Sequence, residues 1–269
     1  MGETAARMTA LVTGASSGIG AELARAFAAH GFDLVLVARR ADRLQALARE
    51  LSAAHGCAAR VIAADLSDPA APARIFDEVA RAGIAVDALV NNAGYGLPGG
   101  FLGSSWEQHR AFLQVMVTAV AESCRRFAPG MVDRGRGYII NVGSVAGLVP
   151  GTAGHTLYGA AKALVIRFSE SLALELRPRG VHVTALCPGF TYSEFHDVNG
   201  MRPQVSQLPR WMWMDARTVA NQGYDAVMRG DIVCVNGRVN RAIVGLARYT
   251  PQWIVNGVAR RIAKRFRRI

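Results

Sequence analysis

At 269 residues, with 51% hydrophobic and 19% charged residues and 28 glycines spread throughout, the chain has the composition of a compact globular protein and excludes a disordered or fibrous one. No apolar run approaches the ~18 to 20 residues of a membrane span. The net charge of +11 is largely a property of the chain's end, where Arg260, Arg261, Lys264, Arg265, Arg267 and Arg268 stand with no acid among them.

Residues Met1 to Met8 lack the charged-then-apolar order of a signal peptide, and Ala6 stands where a myristoylation motif needs Ser or Thr, so the start reads as a short loose leader. From Met8 onward short apolar runs alternate with longer helical patterns. Strands are expected near 8–13, 33–38, 59–63, 87–91, 137–142, 181–187 and 231–235, and helices near 18–30, 41–54, 70–82, 105–131, 155–177 and 216–229. That alternation predicts an α/β fold: a doubly wound parallel sheet of about seven strands with helices on both faces, in one domain spanning 1–269. The stretch 188–214, with Pro188, Pro203 and Pro209, is too long for an ordinary connection and reads as a substrate lid. Residues 238–269 form a C-terminal helical extension, with an apolar helix over 239–255 broken by Pro251. Cys57, Cys124, Cys187 and Cys234 show no paired spacing, which predicts reduced thiols, a cytoplasmic protein and no zinc; no His/Asp/Glu cluster has metal-ligand spacing.

After the first strand, Gly14-Ala15-Ser16-Ser17-Gly18-Ile19-Gly20 turns into a helix, where free backbone N–H groups attract an anion and glycines let a pyrophosphate approach. The second strand ends at Ala38, where an acid would bind a ribose 2′-hydroxyl, and continues into Arg39-Arg40. An arginine there accommodates a 2′-phosphate and favours NADP(H), with Arg39 the better candidate and Arg40 and Arg43 equally readable as solvated helix residues.

Tyr158 and Lys162 stand four residues apart on an expected helix, fourteen and eighteen residues after Ser144. Positions i and i+4 share a face, so phenol and ammonium can enter one pocket. A neighbouring positive charge favours the phenolate and eases proton transfer from a group whose pKa is ordinarily ~10. Ser144 can then hold a carbonyl oxygen.

Thr13 to Gly20, Asn91-Asn92-Ala93-Gly94, Ser144, Tyr158-x-x-x-Lys162 and Pro188-Gly189 together resemble, in order and spacing, the short-chain dehydrogenase/reductase family over roughly residues 8 to 235. The resemblance implies a Rossmann-type sheet and hydride transfer between NADP(H) and a carbonyl or alcohol. It further implies that Gly14, Ser16, Ser17, Gly18 and Ile19 surround the phosphates, Asp65 and Leu66 flank the adenine, Asn92 and Ala93 lie along the cofactor, and the region from Pro188 and Gly189 to Thr191 touches the nicotinamide end. Lys162 would also bind the nicotinamide ribose, and a homodimer or homotetramer built partly from the helices near 105–131 and 155–177 is expected.

One departure stands out: many relatives carry Asn-Val-Thr in the central helix, and here the stretch reads Met116-Val117-Thr118, with Gln114 offset by two positions. This supports a rival reading, a non-catalytic dinucleotide-sensing scaffold, against which the intact Ser144, Tyr158 and Lys162 argue. Leu148, Val149, Pro150 and Trp211-Met212-Trp213-Met214 suit either a pocket for a small hydrophobic carbonyl or alcohol substrate or simple lid packing. His155 and His196 read as surface residues at the mouth. In the tail, Val258, Ile262, Phe266 and Ile269 recur at helical spacing opposite the basic residues, as in an interfacial amphipathic helix. Peripheral contact with an anionic membrane is one reading, and packing on a partner subunit or a solvated tail is the other. No nucleic-acid motif accompanies the charge.

Overall fold

Thr9 to Thr13 and Asp33 to Ala38 are runs of β-branched and aliphatic residues, and both become central strands because nearly every side chain in them is buried on one face or the other. In the computed structural model, which describes residues 7–151, 156–193 and 209–250, the strands are β1 (Thr9–Thr13), β2 (Asp33–Ala38), β3 (Ala59–Ala63), β4 (Val86–Asn91), β5 (Gly137–Val142), β6 (Val181–Cys187) and β7 (Val233–Val235). They form one parallel sheet in the order β3-β2-β1-β4-β5-β6-β7.

The α-helices are α1 (Gly18–Ala29), α2 (Ala41–His55), α3 (Ala71–Arg81), α4 (Trp106–Leu113), α5 (Ala119–Asp133), α6 (Thr156–Leu176), α7 (Ala216–Arg229) and α8 (Arg238–Tyr249). Strand side chains alternate in direction, so Ala10, Val12, Leu34 and Leu36 face a core with α1, α2 and α7, while Leu11, Val35 and Val37 face one with α3, α5 and α6. The doubly wound sheet predicted from the sequence is therefore the observed architecture, with a helical C-terminal part.

The segment expected as one helix over 105–131 departs from that reading. A π-helical turn, Gln114–Thr118, separates α4 from α5. It adds a residue to the turn and buries Val115 and Met116 together ahead of Ala119 and Val120. Apolar periodicity alone cannot register one inserted residue.

The sheet's order reverses beside β1, whose neighbours β2 and β4 lead to opposite sides of the molecule. The crevice at the carboxyl ends of β1 and β4 is where open α/β sheets bind ligands. A buried polar chain fixes α6 to it: Asn91 Nδ2 donates to Asn141 Oδ1 (2.8 Å), Asn141 Nδ2 donates to Ser169 Oγ (2.9 Å), and Ser169 Oγ donates to the Val165 carbonyl (2.7 Å). Being buried and satisfied, the chain ties β4, β5 and α6 in one arrangement.

Candidate active site

The loop after β1 is shaped by Gly14 (φ +67°) and Gly18 (φ +57°), left-handed conformations that disfavour a side chain. Ser17 is the N-cap of α1 yet makes no side-chain cap bond, and the helix has no acid in its first turn. The Ser17 hydroxyl instead accepts from Arg40 Nη2 at 3.1 Å, and Ser16 Oγ accepts from Arg40 Nη2 at 3.1 Å. Uncapped N–H groups at a helix start beside a guanidinium form a setting for a phosphate, so the residues present fit a dinucleotide.

Asn92 is placed at this loop, with its amide donors engaged by the backbone: Nδ2 donates to the Thr13 carbonyl at 3.0 Å and to the Gly14 carbonyl at 3.3 Å. Thr13 Oγ1 accepts from the N–H groups of Asn92 (3.0 Å) and Ala93 (3.2 Å) and donates to the Val90 carbonyl (3.1 Å). These bonds lock the glycine loop to the end of β4. A Cβ added to Gly20 would run into the Gly14 carbonyl oxygen and Asn92 Nδ2. Gly20→Ala is therefore expected to cost at least ~1–3 kcal/mol and to weaken dinucleotide binding, read as a lower Tm and a higher Kd for NADPH.

Arg39 and Arg40 divide differently from the order of preference read in the sequence. Arg40 reaches the glycine loop, whereas Arg39 is exposed and, with Asp65, acts electrostatically on the phenol of Tyr95. Asp65 is exposed and accepts from the Ser67 N–H at 2.9 Å, and Leu66 is buried.

Ser144 is the N-cap of a short 3₁₀ turn, Val145–Gly147; its Oγ accepts from the Ala146 N–H at 3.1 Å. The turn lies tightly on α6, since a Cβ on Gly147 would stand 2.6 Å from the backbone of Lys162 and Ala163. This contact brings the strand end to the helix carrying the other two residues. The structure thus assembles the triad read from the sequence: Ser144 hydrogen-bonds the Tyr158 phenol, and Lys162 Nζ lies 5.9 Å from the centre of the Tyr158 ring.

The electrostatics differ from expectation. Burial pushes the Tyr158 phenol up, opposed by its bond with Ser144, and Lys162 is not what sets it. Burial pushes Lys162 itself down to about 8, and its Nζ donates to the Val142 carbonyl at 2.6 Å. The phenol is thus held as a proton donor through the neutral range, beside an amine close to its own titration.

Met116 is buried in a cluster with Phe112, Ala161 and Tyr158 and lies against Gly94. The place of the asparagine that many relatives carry is thus filled by a thioether. Gln114 Nε2 is buried without a hydrogen-bond partner among the described residues.

At the other end of the crevice, the Pro188 carbonyl accepts from the Val145 N–H at 3.0 Å, and Thr191 Oγ1 donates to the Gly189 carbonyl at 3.1 Å. Thr191 bridges in parallel to Met214, and Tyr192 stacks on Trp213 at 4.8 Å, so the two described ends of the 188–214 segment pair with each other. Trp213 is engaged in packing, while Trp211 is 63% exposed. Ser193 stands over Gly18, joining this segment to the glycine loop. Residues 194–208, His155 and His196, and the tail beyond 250 lie outside the described residues.

Three likenesses accompany this geometry. A Myxococcus xanthus protein described as an uncharacterized oxidoreductase is 37% identical over 224 residues, 83% of this chain and 85% of that protein. A short-chain dehydrogenase from Sphingobium yanoikuyae in complex with NADPH superposes with a TM-score of 0.80 at 36% identity, covering 91% of this chain and 96% of the other. The bulky-bulky ketone specific alcohol dehydrogenase from Comamonas testosteroni gives 0.75 at 32% identity, with 91% and 95% covered. Residues 8–201 match the family model for short chain dehydrogenases, and the chain belongs to the short-chain dehydrogenase/reductase family of oxidoreductases.

Proposed function

We propose that the protein is an NADP(H)-dependent reductase, or the reverse alcohol dehydrogenase, acting on a small hydrophobic carbonyl compound. The observation that carries this reading is the meeting of Ser144, Tyr158 and Lys162 beside an uncapped, arginine-flanked helix start. A bound nicotinamide supplies the hydride in reduction and takes it in oxidation. The chain's own residues do the rest. Ser144 Oγ holds the substrate oxygen, and Tyr158 gives that oxygen its proton as the carbon accepts the hydride. Lys162, on the same helix face, holds the ribose and balances charge near the phenol. Pro188, Gly189 and Thr191 line the nicotinamide end. Support for a hydrophobic substrate comes from the apolar, half-buried Leu148 and Met214 and from the likeness to the Comamonas testosteroni ketone-specific enzyme.

The preference for NADP(H) rests on Arg40 and Arg39 and on Ala38, where no acid opposes a phosphate. An arginine–phosphate bond is worth roughly 1.5–3 kcal/mol. Titration is expected to show NADPH binding about tenfold or more tighter than NADH, with Arg40→Ala losing most of that margin and Arg39→Ala part of it. Equal affinities for the two cofactors would remove the argument. The catalytic reading itself is tested by NADPH oxidation on a panel of ketones, β-keto esters, steroids and aldehydes. The sensor alternative, favoured by Met116 under Tyr158, expects binding and no turnover on every member.

A homo-oligomer formed in part through α6 fits the exposed Leu164 and Leu174 on that helix.

A further inference from the structure

α8 presents two unlike faces. On the inner one Asn240 is buried, donating to the Asn236 carbonyl at 2.7 Å and packing against Gly189, while Gly237 at the helix start lies against Met214. On the outer one Val239, Ala242, Ile243, Leu246 and Tyr249 recur at the spacing of a single helix face and are exposed, Leu246 at 73% and Tyr249 at 83%. A soluble helix normally turns such a stripe inward. Here the inward side is already occupied by Asn240 and the base of the 188–214 segment.

Charge indicates what the outer face meets. α8 carries Arg238, Arg241 and Arg248 and no acid, and no acid follows anywhere from Ile232 to Ile269, a stretch with nine lysines and arginines. A second copy docked face to face would bring arginines against arginines with no carboxylate on the helix to pair them. An anionic bilayer offers the opposite: phosphates for the arginines, an acyl boundary for Ile243 and Leu246, and an interfacial layer that favours a tyrosine such as Tyr249.

We infer that the outer face of α8 is a docking surface for an anionic lipid bilayer, which holds the enzyme peripherally with the base of its substrate segment beside the membrane. Each arginine near such a surface favours binding by about fivefold, and the basic residues after Thr250 add to the same attraction. Insertion of Ile243 and Leu246 supplies the apolar share. The inference is independent of which carbonyl compound is reduced.

The full chain is to be sedimented with vesicles of phosphatidylcholine alone and of phosphatidylcholine and phosphatidylglycerol in equal parts, at low and high salt. It is compared with the Ile243→Glu/Leu246→Glu variant and with a chain ending at Thr250. The expected result is binding to the anionic vesicles only, weakened by salt. The double variant should lose at least tenfold in partition, with an unchanged Kd for NADPH to show that it is folded. The chain ending at Thr250 should bind more weakly but with the same anionic preference. The idea is overturned if the double variant binds as the full chain does, since the tail alone then accounts for attachment. Absence of anionic binding overturns it too, as does a drop in oligomeric mass in the double variant, which would show that a second copy covers the face.

Discussion

Tyr158→Phe should lower kcat for NADPH-dependent ketone reduction by about 10²–10⁴-fold while leaving the Kd for NADPH and the Tm close to wild type. The substitution removes one oxygen. The ring stays in the cluster with Phe112, Met116 and Ala161, so packing is retained. What is lost is the proton donor that Ser144 hydrogen-bonds. Because burial raises the phenol's pKa, the acid form persists to higher pH than that of a free tyrosine. Loss of the acid itself should therefore appear only above the ordinary tyrosine range, and a fall near pH 8 would mark Lys162 losing its charge. Near-wild-type turnover by the variant would place the acid elsewhere.

The second large effect concerns Lys162, which burial lowers from 10.5 to about 8. The unfolded chain binds this proton more readily than the native one between those values, so stability rises as pH increases from about 8 to about 10.5 and levels off above. Below about 8 both states carry the proton and the penalty is constant. The shift corresponds to at most about 3 kcal/mol. Lys162→Met should abolish this share of the rise and, at pH 7, recover part of the penalty, offset by loss of the bond to the Val142 carbonyl. It should also lose most activity. Urea unfolding of both proteins at pH 7 and pH 10 reads the difference directly. Parallel stability curves would show that Lys162 titrates normally in the native state.

That Tyr158 and Lys162 lie together was legible in the sequence because a four-residue spacing on a helix is enough to define a face. So was the sheet, whose buried parallel strands are continuous apolar runs. The sequence reading preferred Arg39, and the contact of Arg40 with Ser16 and Ser17 had no signature in it, since adjacent residues after a strand differ only in how the chain turns toward the next helix. The Asn91–Asn141–Ser169 chain, spread over three elements, has no local signature at all. Nor does the role of Thr13, which depends on β1 and β4 being neighbours. The direction of the Tyr158 shift was misjudged from spacing because the i+4 rule places Lys162 nearby but says nothing of burial, which dominates both groups.

The strand order also bears on how the chain is made. β3, β2, β1 and β4 are all encoded before residue 92, so the half of the sheet that carries the glycine loop can assemble while the half that leads to Ser144 and α6 is still being synthesised. Until β5 emerges, however, β4 is an open edge of buried-type residues, Val86 to Asn91, in which all six side chains end up covered. Such an edge invites pairing with other nascent chains. The interval between translation of β4 and of β5, some 45 residues, is thus the period in which this edge has no partner strand.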